Sequence, residues 1–116
     1  MVGGDMTPEE AAACQKLRDQ YKRIHDNLDG LLNACGKDPV LKEEVHDNLQ
    51  EALKNYIIAQ NLILDRDAAK VKRLSEAADK SQEEIVQALE DLKNITNSVR
   101  IITEAVKTVG IHVANL

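Results

Sequence analysis

The sequence predicts an all-α protein, folded as an up-down-up antiparallel three-helix bundle with coiled-coil-like heptad packing. Apolar residues recur at alternating three- and four-residue spacing along most of the 116-residue chain. Signals that begin or end helices occur at only a few places. The composition is 43% hydrophobic but only 2% aromatic, which favours narrow seams of aliphatic side chains. Residues 1–6 are predicted to be disordered, and residues 7–116 to form a single domain.

The first helix is predicted over residues 8–35. Thr7 and Glu10 have the spacing of a capping box, and Pro8 suits the first helical turn. Gly36 suits the position just after the last turn. The apolar positions between these signals follow 3-4 spacing and are Cys14, Leu17, Tyr21, Ile24, Leu28, Leu31 and Cys35.

The second helix is predicted over residues 39–79, with Asp38 as its N-cap. Its apolar positions are Val45, Leu49, Ala52, Tyr56, Ala59 and Ile63, followed in a shifted phase by Val71, Leu74 and Ala78. The interruption near residues 65–67 is either a stutter within one helix or a break that gives four helices. Because no Gly or Pro lies there, a continuous helix is expected.

The third helix is predicted over residues 82–113, because Ser81 and Glu84 have the spacing of a second capping box. Its apolar positions are Ile85, Ala88, Leu92, Ile95, Val99, Ile102, Val106, Val109 and Val113. With these boundaries helix two extends beyond helix one. Its overhanging apolar seam then needs a cover, which is either a second subunit or, if the chain bends at residues 65–67, a fourth helix of the same chain. A second subunit is favoured.

These features predict a non-enzymatic helical interaction or assembly module that self-associates through its apolar heptad seams. The expected partner is a second copy, with a dimer favoured, or another helical protein. Ile101 and Ile111 lie off the main seam and widen the apolar arc of the third helix, which is typical of interaction surfaces. The predicted interaction surface consists of Ile63, Val71, Leu74, Ile101, Ile102, Val106, Val109 and Ile111.

The alternative hypothesis is a small-ligand or metal-binding bundle that uses His25, Glu43 and His46. The segment Ile-His-Asp-Asn-Leu at 24–28 recurs as Val-His-Asp-Asn-Leu at 45–49. Antiparallel pairing would bring the two histidines to one edge, and His with a carboxylate suits zinc or iron. Carboxylate-bridged di-metal bundles need Glu-x-x-His twice, however, and only Glu43-x-x-His46 is present. No cofactor is therefore predicted.

Charge and motif content argue against other classes of function. The net charge of −5 without a basic segment argues against nucleic-acid binding, and no apolar run is long enough to span a membrane. No nucleophile-elbow or phosphate-loop motif occurs, so no enzymatic activity is expected. The first residues lack a signal-peptide pattern, and a cytoplasmic location is expected. Cys14 and Cys35 are expected to be small buried hydrophobes, with an inter-subunit disulfide or a reactive thiol as alternatives.

A basic face is predicted where Arg66, Lys70 and Arg73 recur at helical spacing. We expect a solvated face whose cations pair with neighbouring carboxylates. Docking of an acidic partner is the alternative. The carboxylates available for pairing are Asp65, Asp67 and Glu76.

Overall fold

The structure is a computed structural model that describes residues 6–63 and 67–116. These residues form five helices and no strand, which confirms the all-α prediction. The helices are α1 (Pro8–Asp26), α2 (Leu28–Ala34), α3 (Pro39–Leu62), α4 (Ala68–Glu90) and α5 (Ile95–Ala114). The molecule measures 53 × 20 × 19 Å. Within the described ranges, each helix is too short or too polar to cross a membrane.

The start of α1 is the predicted capping box. The Thr7 backbone N–H donates to Glu10 Oε1 at 2.9 Å, and the Glu10 N–H donates to Thr7 Oγ1 at 3.1 Å. The predicted first helix is divided at Asn27, which separates α1 from α2. The Asn27 side chain donates to the Arg23 carbonyl at 2.7 Å, and such local bonds compete with regular helix hydrogen bonding.

Replacing Thr7 with alanine should lower the free energy of unfolding by about 1 kcal/mol, because one N-terminal N–H loses its acceptor. Urea denaturation measures this change. Thr96→Ala is the matched control, since Thr96 is exposed and makes no capping bond in the described chain. Equal losses in the two variants would contradict a capping role for Thr7.

The predicted continuous second helix over residues 39–79 is wrong. Asp38 does cap α3, as Oδ1 accepts from the Val40 and Leu41 N–H groups at 3.0 and 3.2 Å. However, α3 ends at Leu62, and Asp67 Oδ1 accepts from the Ala69 N–H at 2.7 Å to cap a new helix. An aspartate cap thus starts α4 without any Gly or Pro. Residues 1–5, in the segment predicted to be disordered, and residues 64–66, in the predicted interruption, lie outside the described residues.

The predicted start of the third helix at residue 82 is also wrong. Ser81 lies inside α4, which continues to Glu90. Its side chain is buried, and Oγ donates to the Ala105 carbonyl at 3.1 Å. A bond to the neighbouring helix therefore replaces the expected cap. The last helix begins instead after Asn94, whose Oδ1 accepts from the Asn97 N–H at 3.3 Å.

Five helices are present in the described residues, so the three-helix prediction is not confirmed. Four of them, α1, α3, α4 and α5, pack against one another, and α2 is a short additional helix. Both α1 and α5 pack against α3 and α4, and α2 packs mainly beside α3. The pairs α1/α3 and α4/α5 are antiparallel. The chain therefore passes from α3 to the diagonally opposite α4, and α3 runs parallel to α5. This arrangement covers α4 within one chain, and the overhanging helix is absent.

The core consists of two apolar clusters separated by a polar layer. One cluster contains Ile24, Leu31, Val45, Ile85, Val99 and Ile102 among its members. The other contains Leu17, Ala59, Ile63, Leu74 and Val109 among its members. Between them along their helices lie Gln20, Asn55 and Ser81, all under 5% exposed, which we call the polar layer. Asn55 Nδ2 donates to the Val106 carbonyl at 3.1 Å, whereas Gln20 Nε2 has no hydrogen-bond partner among the described residues.

Candidate interaction surface

The structure places most of the predicted interaction surface in the interior of the single chain. The six buried residues are Ile63, Val71, Leu74, Ile102, Val106 and Val109. Ile101 is half-buried against the core, and Ile111 is 55% exposed. Because α3 and α4 are separate helices, α4 packs beside α1. The apolar seams on which the prediction rests are therefore covered by other helices of the same chain. Of the eight residues, Ile111 is the one that offers a large exposed apolar side chain.

A groove runs between α3 and α5 on the face that includes Ile111. Its volume is about 540 Å³, and apolar atoms line most of it. Ile58 and Val106 contribute to its apolar lining, and Asn48 and Asn55 add two buried amides. Both amides are already bonded, because Asn48 Nδ2 donates to Thr103 Oγ1 at 3.0 Å and Asn55 donates to α5. We call this feature the α3/α5 groove.

Gly110 lets α5 approach α3 closely at this groove. A Cβ atom at position 110 would lie 3.2 Å from Asn55 Oδ1, which is tighter than ordinary van der Waals contact. Any larger residue would therefore press on the Asn55 side chain and its bond to Val106. The absent side chain keeps the groove open beside Ile111.

Ile58 and Ile111 line the groove, and Ile57 lies beside Ile58 in an adjoining cleft. We call these three residues the isoleucine patch. Ile57 is 46% exposed. A shallower cleft of about 250 Å³ joins Leu53 and Ile57 to Ile58, which also lines the groove. The signal in the sequence is the run Tyr56-Ile57-Ile58. Three consecutive large apolar residues on one helix cannot all point to the core, so at least one of them must be exposed.

Charged residues around the groove balance one another. Asp47 and Glu51 lie toward one end, and Lys54 and Lys107 lie farther along. In the part of the chain that the structure describes, none of the four makes an ion pair. The rim therefore has no net charge, whereas the whole chain carries −5.

The structure does not gather the residues of the metal hypothesis into a metal site. His25 is exposed, and its Nδ1 lies 3.3 Å from Asp26 Oδ1, with its ring centroid 5.8 Å from that of Tyr21. Glu43 and His46 are exposed on α3. Over residues 6–63 and 67–116, no three His, Cys, Asp or Glu side chains are placed to hold a metal ion.

Both cysteines are buried and free, in agreement with the expectation of small hydrophobic side chains. Burial is the main cause that raises the pKa of the Cys14 thiol, and Glu10 raises it further. Burial likewise raises the pKa of the Cys35 thiol, with Asp38 adding to the effect. A raised pKa leaves less thiolate, which is the reactive form.

Cys14 and Cys35 should react with a thiol reagent such as DTNB about tenfold or more slowly in the folded protein than in urea-unfolded protein. Absorbance at mildly alkaline pH follows the two reactions. A variant with an added exposed cysteine, Ala12→Cys, supplies the matched fast-reacting control. Labelling of both native thiols at the rate of the added thiol would contradict their burial.

The chemistry that this surface offers is burial of apolar side chains, with ion pairs at the rim. Ile57 and Ile111 supply the exposed apolar contacts, while Lys54 and Glu51 supply charges of both signs. These are the ingredients of a protein–protein contact.

No family model, curated protein or solved structure matches the chain.

Proposed function

We propose that this chain is a non-enzymatic assembly module whose isoleucine patch binds a second copy of the same chain. The observation that supports the proposal is the 46% and 55% exposure of Ile57 and Ile111 beside an apolar groove. Each isoleucine that is covered by a partner contributes free energy at about 25 cal/mol per Å² of apolar surface removed from water. Exposed apolar residues that are grouped on one surface are typical of interaction sites, whereas single exposed ones are not.

Charge supports a second copy as the occupant. Two chains of net charge −5 repel each other over most of their surfaces. The rim of the groove is the exception, because Asp47 and Glu51 balance Lys54 and Lys107. Two copies can therefore meet face to face at this rim without like-charge repulsion. A two-fold dimer is the simplest closed assembly. It would bury the isoleucine patch of both copies in one interface.

The location of the contact is tested by recording amide spectra of ¹⁵N-labelled protein during dilution from near-millimolar to micromolar concentration. We expect concentration-dependent shifts in residues 53–58 and 107–114, which carry the patch and the groove. Residues at the far end of α3, such as Val40, should not shift. Val40 is the internal reference because it is exposed but lies about 25 Å along the helix from the patch.

Two results would count against the proposal. Shifts confined to other surfaces would move the contact away from α3 and α5. Spectra that do not change with concentration would exclude self-association in this range, and a different helical protein would then become the candidate occupant.

A further inference from the structure

A second cleft lies between α4 and α5, where the predicted basic face meets the last turn of α5. Its volume is about 330 Å³, and Lys70, Arg73, His112 and Asn115 line it. Lys70 and Arg73 come from α4, and His112 and Asn115 come from the end of α5. All four side chains carry nitrogen donors, and no described carboxylate lines the cleft. We call this feature the α4/α5 cleft.

The structure describes two of the three carboxylates that were expected from the sequence to pair with the cations of this face. Asp67 Oδ1 accepts from the Ala69 N–H to cap α4, and over residues 6–63 and 67–116 neither Asp67 nor Glu76 makes an ion pair. Asp65 and Arg66 lie outside these residues. Arg73 Nε donates to the Ala69 carbonyl at 3.3 Å. Among residues 6–63 and 67–116, Lys16 and Asp79 form an ion pair, and His25 Nδ1 contacts Asp26 Oδ1. Two permanent positive charges therefore share one concave site in an acidic chain.

A larger cleft of about 620 Å³ continues along α4 and α5 and shares Arg73 and His112 with the first. Its lining includes Glu76, Glu84 and Thr108, whose oxygens can accept hydrogen bonds, and Lys80, which adds a further cation. The two clefts together thus offer cations without a lining carboxylate at one end, and hydrogen-bond acceptors with one lysine at the other. Their volumes fall in the range of small-ligand sites.

We propose that the α4/α5 cleft binds a small phosphomonoester, whose phosphate lies among Lys70, Arg73 and His112. The guanidinium of Arg73 can donate two parallel bonds to phosphate oxygens, and Lys70 adds a point charge. The hydroxyl-bearing part of the ligand extends into the larger cleft, where Glu76, Glu84 and Thr108 can bond its hydroxyl groups. This site lies on the other side of α5 from the α3/α5 groove, so it does not depend on self-association.

The test is an NMR titration of the ¹⁵N-labelled chain with glucose 6-phosphate and, separately, with inorganic phosphate at low ionic strength. We expect saturable shifts at Lys70, Arg73, His112 and Asn115, with glucose 6-phosphate bound more tightly than phosphate. Arg73→Gln should weaken binding about tenfold or more, as loss of a charge-assisted pair does. Arg18→Gln is the matched control, because Arg18 is exposed on α1 and the charge change is the same.

Three results would overturn the proposal. Equal weakening by Arg73→Gln and Arg18→Gln would show that the anion responds to the overall charge of the protein and not to this cleft. Equal affinity for glucose 6-phosphate and inorganic phosphate would exclude the extended ligand. Shifts that do not saturate would show that no site is formed. The native circular dichroism of both variants is checked first, so that loss of folding is not mistaken for loss of binding.

Discussion

Leu74→Ala should lower the free energy of unfolding by about 3 kcal/mol, because it removes a large side chain from a close-packed interior. Leu74 is 0% exposed and belongs to the cluster with Leu17, Ile63 and Val109. A loss of this size is a large fraction of the stability of a small domain. Urea denaturation at low protein concentration measures the loss, because association then contributes little.

Ile111→Ala is the matched control for Leu74→Ala. Both replacements shorten a large aliphatic side chain on a helix, Leu74 on α4 and Ile111 on α5. Ile111, however, is 55% exposed. We expect Ile111→Ala to change the free energy of unfolding by about 0.5 kcal/mol or less. If Ile111→Ala were the more destabilising of the two, the assignment of Leu74 to the core and Ile111 to the surface would be wrong.

Gln20→Leu should raise the free energy of unfolding by about 1–2 kcal/mol, because it removes a buried donor that has no partner. Gln20 is 1% exposed, and its Nε2 makes no hydrogen bond within residues 6–63 and 67–116. Leucine has a similar size and returns this position of the polar layer to the apolar pattern around it. Thermal and urea unfolding both measure the change.

Asn55→Leu is the control within the same polar layer. Asn55 already donates to the Val106 carbonyl at 3.1 Å, so its removal loses a bond without relieving an unpaired group. We expect this variant to lose about 1 kcal/mol, opposite in sign to Gln20→Leu. A loss of stability in Gln20→Leu would instead show that the Gln20 amide finds a partner in solution.

Local signals predicted the helix ends well where a side chain bonds the nearby backbone. The Thr7–Glu10 capping box and the Asp38 cap are present as expected. Ser81 shows the limit of such signals, because the same residue type that caps a helix also bonds a carbonyl of a neighbouring helix. Which of the two occurs depends on packing against α5, and periodicity along one helix carries no information about it.

The helix pairing could not be predicted from the sequence. A stutter within one continuous helix and a break between two helices give the same apolar pattern around Asp67. The bundle therefore covers α4 within the chain, and residues such as Val71 that indicated a partner surface lie in the core. The position of Ile111 off the seam agrees with its exposure in the structure. Ile57 and Ile58 were not predicted, because only Tyr56 of this run falls at a seam position of the helix.

The α4/α5 cleft was predicted only as a basic face. The helical spacing of Lys70 and Arg73 placed both on one side of a helix. His112 and Asn115 lie about forty residues farther along the chain, and only the α4/α5 packing brings them to the same cleft. A constellation that spans two helices cannot be read from the spacing within either one.

The central claim is that two copies associate through the isoleucine patch, and sedimentation equilibrium tests it most directly. With increasing concentration, the mass of the wild-type chain should rise from 12.9 kDa toward twice that value. Ile111→Lys should remain at 12.9 kDa, because it places a charge in the contact. Val40→Lys, at an exposed residue outside the patch, should associate like the wild type. A wild-type mass of 12.9 kDa at every concentration, or an unchanged dimer in Ile111→Lys, would contradict the claim.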